Sequence, residues 1–423
     1  MNARSTCMIV AALILAGFGA WTFSLGQDGV KGEQPVSPAV YKIPEPKPRD
    51  LDSGSLIEKQ AYLSCQRGID WLQRVNRPDG RFIFGYVPAL RAPMTGDSYP
   101  QQIEAALALA RGGRVFRDDK ALAIAKQSLL TLLLETSLDP TDASVRHTSA
   151  PPALVNRLSA AGLLVLAIQE LPVPEKDLQA QAGQLCEFLK RQHRSDGAFA
   201  DSATELKTKQ FSEAGMAHAG PALAGLMRGA SATPAAWKLQ AARKTRDFYA
   251  KTWDQHKKLT LVRWHAVASA EAFRSTKEQA FAESVFAIND WLCERQHQDL
   301  DPRHPMWLGG FKDWQDGKDR QEPPEIAAAS CLESLVEGCR TARLAGDVRR
   351  WQRYRQAADR AVQFLATLQY TDARTQHFAE WYRPVLVGGF HRSHEEGDLR
   401  LDYTAGAVAA LASYVAWTGE QPE

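Results

Sequence analysis

Five residues are candidates for acid–base chemistry because they interrupt or adjoin segments that are rich in alanine and glycine. They are Glu104, Glu213, His218, His265 and Asp402. Carboxylates and imidazoles are the side chains that most often transfer protons in enzymes. An unpaired carboxylate is costly to bury, so an inward-pointing acid must pair with a cation or line a wet cavity. Two carboxylates that face each other across such a cavity are typical of glycoside hydrolysis.

Each of these candidates has a simpler structural interpretation. For the two histidines it is a hydrogen-bonded position in the core, and for Asp402 it is a helix cap, with Arg400 paired to Asp398. Further acids of the same class are Glu271, Glu325 and Glu333. The sequence does not decide which of these acids converge.

A second group of residues is suited to holding an extended ligand such as a sugar chain. It consists of Arg81, Tyr86, Tyr99, Trp307, Trp314, Arg392, Arg400 and Tyr403. Aromatic rings stack on sugar faces, and arginine pairs with carboxylates and hydroxyls. The alternative is that such aromatics plug loops onto helix ends, which is the preferred interpretation for Phe82, Phe199, Phe311 and Phe390.

The elements that position these residues are helices of two kinds in strict alternation. Charged amphipathic segments are predicted near 56–76, 117–136, 175–193, 234–254, 276–297 and 348–369. Segments rich in alanine and glycine are predicted near 98–112, 155–171, 212–229, 260–274, 325–345 and 402–418. Small residues let helices approach closely, as the inside of a ring requires. The pattern predicts an all-α fold, an (α/α)6 toroid of six helical hairpins, although Pro221 and the weak segment 260–274 disturb it.

One local motif recurs four times at the ends of charged helices. An aromatic–Leu pair is followed by an amide or imidazole five residues after the aromatic, then by a glycine and a phenylalanine. The four amide or imidazole positions are Asn76, His193, Gln296 and Gln369. The motif predicts a helix C-terminus, a glycine with positive φ, and an aromatic that folds back onto the helix end.

The first copy resembles the Gln-Trp repeat of the terpenoid cyclase and prenyltransferase toroid superfamily. The residues that match are Arg67, Gly68, Trp71, Leu72 and Gly80, while Asn76 replaces the glutamine and Phe82 the tryptophan. The resemblance implies a toroid. It implies no activity, because the acidic motif of the cyclases, the zinc ligands of the prenyltransferases and the thioester motif of complement-like toroids are absent. Six-hairpin glycosidases, polysaccharide lyases and sugar epimerases share the architecture.

Loop lengths indicate where a site would lie. The connections predicted to be long are 77–97, 137–154, 194–211, 298–324 and 370–401, and all of them lead from a charged helix to a small-residue helix. They must therefore emerge at one end of the ring, which we call the mouth. Long loops on a rigid scaffold are where function concentrates.

The chain begins with a segment that differs from the rest. Arg4 precedes an uncharged apolar run from Met8 to Leu25, so residues 1–26 are predicted to be a signal peptide or an N-terminal membrane anchor. Residues 27–55 are a proline-rich linker, and residues 56–423 are the toroid. Export, to the periplasm or the cell exterior, is therefore expected.

Composition and motifs exclude several classes of function. With 51 Lys and Arg against 49 Asp and Glu, and no basic block, a nucleic-acid partner is not expected. No cofactor motif is present, and His391-x-x-His394-Glu395 is too weak a pattern to predict a metal site. Five cysteines follow the leader, at 65, 186, 293, 331 and 339, and they are expected to be buried, although a disulfide between distant helices is an alternative.

The leading hypothesis is an exported glycan-active enzyme, a hydrolase, lyase or epimerase that acts at the mouth. Whether the protein is an enzyme at all is left open by the sequence. One alternative is a non-catalytic envelope protein that binds protein or glycan, in which arginines neutralise the inner acids. Another is a terpenoid-cyclase-like protein that holds an apolar ligand in a dry central cavity.

Overall fold

A computed structural model of the chain describes residues 54–151, 154–200, 213–315, 317–320 and 322–420. The predicted leader and all but the last two residues of the predicted linker lie outside this part of the chain. The six outer helices of the described chain are α1 (Leu56–Val75), α3 (Asp119–Leu133), α5 (Lys176–Gln192), α7 (Ala236–Trp253), α9 (Gln279–Arg295) and α11 (Val348–Thr367). The six inner helices are α2 (Tyr99–Phe116), α4 (Arg157–Glu170), α6 (Glu213–Ala232), α8 (Leu259–Thr276), α10 (Ala328–Leu344) and α12 (Leu401–Gly419).

The inner helices form a closed ring. Each of them contacts the next one along the chain, and α12 contacts α2. Small residues make this approach possible: a Cβ atom added to Gly162 of α4 would lie 2.3 Å from the carbonyl oxygen of Pro221 in α6. The predicted (α/α)6 toroid is therefore confirmed. Helix α6 continues through Pro221, and the segment predicted to be weak forms the full helix α8.

Side-chain hydroxyls, amides and carboxylates begin several of these helices. Ser55 accepts a hydrogen bond from the backbone N–H of Glu58, whose carboxylate accepts one from the Ser55 N–H, a reciprocal capping box. Asp118 caps α3, Asn156 caps α4 and Asp347 caps α11 in the same way, through one side-chain oxygen. Asp118 and Asp347 lie in the short turns from inner to outer helices.

The four copies of the repeated motif adopt the predicted geometry. The pairs Asn76–Phe82, His193–Phe199, Gln296–Phe311 and Gln369–Phe390 each form a β-bridge at the end of an outer helix. The glycines between them have φ of 82° (Gly80), 99° (Gly197), 85° (Gly309) and 95° (Gly388). The side chains also link neighbouring outer helices, since Gln369 Nε2 donates to the Ser64 carbonyl at 2.9 Å and so joins α11 to α1.

The long loops meet at the mouth and carry the short strands of the described chain. Strands β1 (Gly85–Val87) and β2 (Ala92–Pro93) lie between α1 and α2, and β7 (Leu399–Arg400) precedes α12. They form one antiparallel sheet in the order β2-β1-β7, with Tyr86 opposite Leu399. The other strands form two hairpins, β3 (Thr136–Asp139) with β4 (Asp142–Thr148), and β5 (Trp314–Gln315) with β6 (Lys318–Asp319).

The remaining connections complete the fold. Short 3-10 turns lie at Pro88–Leu90, Pro305–Trp307 and Ala373–Thr375, and one helical turn at Arg383–Leu386. The five cysteines after the leader are buried free thiols. Within the described ranges, none of the helices combines the length and the hydrophobicity needed to span a bilayer.

Candidate functional site

Below the mouth, the ring is crossed by a group of buried ion pairs, which we call the central network. It consists of Glu170, Glu271, Glu333 and Glu337 with Arg111, Arg114, Arg228, Arg263, Arg274 and Arg340. The four glutamate side chains are only 2–9% exposed. Predicted inner acids that point inward are therefore paired, as their burial requires.

The network joins all six inner helices. Arg111 of α2 lies 3.3 Å from Glu170 of α4 and 2.6 Å from Glu333 of α10, and it also donates to Ser413 of α12 at 2.9 Å. Arg228 of α6 lies between Glu170 and Glu271 of α8, at 3.6 and 3.7 Å. Within this network Glu271 pairs with Arg274 on α8 and Glu337 pairs with Arg340 on α10, while the other ion pairs join different helices.

Arginine neighbours determine the protonation of these acids. Burial disfavours the charged form of each carboxyl more strongly than any other single effect, but the surrounding guanidinium groups together outweigh it. The pKa of Glu337 is lowered to about 2, between Arg274 and Arg340. The pKa values of Glu170, Glu271 and Glu333 are also held below their usual range. All four are therefore charged at neutral pH.

Glu104 lies on α2 nearer to the mouth, and its surroundings differ. Its side chain is 23% exposed, and its Oε1 atom lies 3.4 Å from Nη1 of Arg263. Arg263 is committed mainly to Glu333, to which its Nε atom donates at 2.6 Å. Its guanidinium carbon lies 3.9 Å from the centre of the Trp264 ring. Glu104 thus lies between the mouth and the central network, and it shares its arginine partner, Arg263, with Glu333.

Asp402, in the first turn of α12, completes the group at the mouth. Arg400 donates to both of its carboxylate oxygens, at 3.0 and 2.9 Å, so the predicted alternative of an Arg400–Asp398 pair is not what forms. The same guanidinium carbon lies 4.9 Å from the Tyr403 ring centre and 5.7 Å from that of Phe84. An acid, a cation and two aromatic rings therefore meet here.

Glu104 and Asp402 are within electrostatic range of each other, and both resist ionisation. Burial raises the pKa of Glu104, Arg263 opposes this, and the charges of Asp402 and Glu333 raise it further. Burial likewise raises the pKa of Asp402 against the effect of Arg400. Two partly exposed carboxyl groups with raised pKa values are the kind of pair that exchanges protons with a substrate. We call Glu104 and Asp402 the mouth carboxyls.

Three of the predicted binding residues serve mainly to hold the loops. Tyr99 is 5% exposed and its hydroxyl donates to the Leu132 carbonyl at 2.7 Å. Tyr86 is half-buried with its ring edge toward Trp71. Arg81 forms ion pairs with Asp97, at 2.5 Å, and with Glu135, which fasten the first long loop to the second.

The other predicted binding residues lie at the mouth on different loops. Trp307 stacks on His304 with ring centres 3.9 Å apart. Trp314 of β5 packs its edge against Trp291. Arg392 is 39% exposed and bridges Glu325 and Glu396, each at 2.9 Å. Their separate loops do not bring these three into contact with the mouth carboxyls.

The remaining acid–base candidates are Glu213, His218 and His265. Glu213 is the first residue of α6, but its side chain lies outside the described residues. His218 is half-buried on the same helix. His265 is 8% exposed and lines a cavity in the outer wall of the ring, between α7 and α9. A catalytic role for these three stays a prediction.

The sequence interpretation missed the arginines that control the site. Arg111 lies seven residues after Glu104, two turns along the same face of α2, in a helix otherwise poor in charge. Arg263 and Trp264 lie in the segment predicted to be weak. A search for single charges at helical spacing within the alanine-rich segments would have found both arginines.

No group of residues suited to a metal ion is found within the described ranges. Nδ1 of His391 faces the Ser393 carbonyl at 2.7 Å, and the rings of His391 and His394 have their centres 6.3 Å apart.

Comparison with known proteins supports the architecture. No known protein family matches the sequence, and no curated protein matches it. Among solved structures, an alpha-1,6-mannanase of a Salegentibacter species is similar with a TM-score of 0.60 at 12% identity, covering 84% of this chain and 99% of that one. A heparin-specific unsaturated glucuronyl hydrolase is similar with a TM-score of 0.57 at 13% identity, covering 84% of this chain and 97% of that one. The cellobiose 2-epimerase of Bacillus thermoamylovorans is similar with a TM-score of 0.59 at 10% identity, covering 84% of this chain and 99% of that one.

These neighbours share the six-hairpin toroid that was predicted. At such low identity the similarity shows the fold alone. The chemistry of this chain must therefore be argued from its own residues at the mouth.

Proposed function

We propose that the protein is a glycan-active enzyme, a glycoside hydrolase in which Glu104 protonates the glycosidic oxygen. The observation that carries the proposal is the pair of mouth carboxyls, both partly exposed and both with raised pKa values. A general acid must hold its proton near the working pH, and burial of Glu104 raises its pKa in that direction. Asp402, ionised beside Arg400, is the second carboxylate and takes a proton from the water that attacks the anomeric carbon as the glycosidic bond breaks.

The surroundings of the pair favour a sugar substrate. Tyr403 and Phe84 place partly exposed rings beside Arg400, whose guanidinium offers donors for hydroxyl or carboxylate groups. The similar solved structures include a mannanase bound to alpha-1,6-mannotriose, a glucuronyl hydrolase and an epimerase. Their names support a glycan as the ligand class. An epimerase or lyase would use the same carboxyls to remove a proton from carbon.

The test is incubation with a panel of neutral and acidic polysaccharides and oligosaccharides, followed by analysis of product size and configuration. Glu104→Gln is expected to lower turnover about 10²–10⁴-fold with little change in KM, the usual effect of losing a general acid. Glu294→Gln, an exposed acid at the end of α9, is the matched control and should keep full activity. Turnover that survives both Glu104→Gln and Asp402→Asn would refute the assignment.

A second candidate function is non-catalytic binding of a glycan or protein. It is favoured by the central network, in which arginines neutralise all four glutamates. Binding of an oligosaccharide in calorimetry, with no product after prolonged incubation, would support it over the hydrolase. An apolar ligand in a central tunnel is less consistent with these residues, because ion pairs cross the ring at that depth.

We also propose that residues 1–26 direct export and that residues 27–55 act as a spacer for the toroid. The apolar run and the prolines that follow it support this. N-terminal sequencing of the protein from a cell envelope fraction distinguishes the two forms. A start near residue 27 indicates a cleaved signal, an intact Met1 in the membrane fraction indicates an anchor, and an intact chain in the cytosol contradicts export.

A further inference from the structure

A cavity in the outer wall of the ring, away from the mouth carboxyls, has the features of a separate binding site. It has a volume of about 320 Å³ and lies between α7 and α9, over α8. The face of α9 that lines it carries Ala280, Ser284 and Ala287, at positions i, i+4 and i+7, with Glu283 and Ile288 beside them. Small side chains on this face leave the space open.

Most of the lining is apolar and aromatic. Tyr249 and Trp253 of α7, each less than 9% exposed, form one side, and Leu223 of α6 and Ile288 of α9 form others. An apolar cavity about half this size accommodates a benzene ring. The space therefore suits a substituted single ring or a short branched chain.

Two polar side chains lie at the base, one helical turn apart on α8. His265 is 8% exposed and Ser269 is 7% exposed. The Nε2 atom of His265 faces the Met216 carbonyl oxygen at 3.3 Å, and a carbonyl can only accept, so Nε2 carries the proton and Nδ1 is an acceptor. Neither His265 Nδ1 nor the Ser269 hydroxyl has a hydrogen-bond partner within the described part of the chain.

Buried polar groups in apolar surroundings require partners. A hydroxyl group satisfies both through one atom, because it donates to an acceptor nitrogen and accepts from a serine hydroxyl. A charged group is disfavoured, because burial lowers the pKa of His265 to about 4 and keeps its ring neutral. The charged residues of the lining, Arg246, Asp247 and Glu283, lie on the outer helices α7 and α9.

We propose that this cavity binds a small apolar molecule with one hydroxyl group, such as a phenol, whose hydroxyl bridges His265 Nδ1 and Ser269 Oγ. The aromatic lining favours a ring over a chain, since Tyr249 and Trp253 offer edge and face contacts. The proposal is independent of any activity at the mouth.

The experiment is calorimetric titration of the full chain with 4-methylphenol, and with toluene as the matched ligand that lacks only the hydroxyl. We expect saturable 1:1 binding with a Kd of roughly 0.1–1 mM, reasonable for so few atoms. Toluene should bind at least about tenfold more weakly, because it leaves two buried polar groups without partners. In ¹⁵N NMR, the His265 Nδ1 resonance should shift with 4-methylphenol and not with toluene.

Three variants test the position of the site. Ala287→Phe fills the cavity from its rim and should abolish binding. Ala123→Phe, the same change at an exposed alanine on α3, is the matched control and should bind normally. Ser269→Ala should weaken binding of 4-methylphenol about three- to tenfold and leave toluene unaffected.

The outcomes separate clearly. Equal affinities for 4-methylphenol and toluene would overturn the proposed hydroxyl recognition, and undiminished binding in Ala287→Phe would overturn the location. Absence of any binding to the wild-type chain, folded as judged by circular dichroism, would mean that the cavity holds only water.

Discussion

The mouth carboxyls and the central network place the same kind of residue on the same ring of helices, yet the acids behave in opposite ways. Burial disfavours ionisation in both regions. Glu170 has three arginine neighbours, and its pKa is lowered. Glu104 shares a single arginine, Arg263, and the like charges of Asp402 and Glu333 lie nearby, so its pKa is raised. The number of guanidinium groups within reach, and not depth alone, therefore separates a structural acid from a candidate catalytic one.

The largest expected effect comes from Glu333→Gln in the central network. Glu333 lies 2.6 Å from both Arg111 and Arg263, so its neutralisation leaves two buried cations without their main partner. We expect the free energy of unfolding to fall by about 3–5 kcal/mol. Urea unfolding at pH 7 measures it. A loss no greater than that of Glu104→Gln would erase the distinction between the two regions.

The next effect is a pH dependence from the network. Glu337 has a pKa lowered from 4.5 to about 2, so its contribution is fully present above pH 4.5 and is lost as the pH falls toward 2. By linkage this contribution is about 3 kcal/mol. Unfolding free energies measured between pH 6 and 3 should fall less steeply in Glu337→Gln than in the wild type. Parallel curves would show that the network does not lower the pKa of Glu337.

Glu104→Gln should have a small effect on the free energy of unfolding, opposite in sign to the effect of Glu333→Gln. A raised pKa means that the folded state binds the proton more tightly than the unfolded chain, so the stability it contributes is present at low pH and lost as pH rises through the folded pKa. At pH 8 the variant should be at least as stable as the wild type, and any advantage should vanish below the ordinary pKa of a glutamate. A clear destabilisation at pH 8 would indicate that Glu104 belongs to the network.

The smallest effect is expected for Asp402→Asn. Its partner Arg400 is 35% exposed and Asp402 is 24% exposed, so solvent and salt screen the pair. The unfolding free energy should change by less than about 1 kcal/mol, and less still in 1 M salt. Thermal unfolding at two salt concentrations checks this, and a large loss would show that Asp402 supports the fold more than the mouth.

Local features of the fold could be predicted from sequence because they depend on residues close together in the chain. The alternation of charged and alanine-rich segments predicted twelve helices and their inner or outer places. The glycine and phenylalanine of each repeat predicted the turns at Gly80, Gly197, Gly309 and Gly388. These patterns follow from helical periodicity and from the freedom of glycine at positive φ.

The candidate site was predicted only in part. Glu104 and Asp402 were found because they are acids among small residues, and their proximity follows from α12 closing the ring against α2. Sequence could not assign the arginine partners, since Arg111 and Glu333 are 222 residues apart. It also placed Tyr99 among the binding residues, although its hydroxyl is used to hold a helix end.

The sequence by itself determined which helix faces carry small residues, which carry charges and which helix ends are capped, because those properties depend on residues a few positions apart. Only the tertiary structure decided which acids meet enough arginines to stay charged, which two remain at the mouth with raised pKa values, and that His265 faces a wall cavity. Electrostatic energies depend on distances across the ring between groups far apart in the chain, and closure of the ring alone sets those distances.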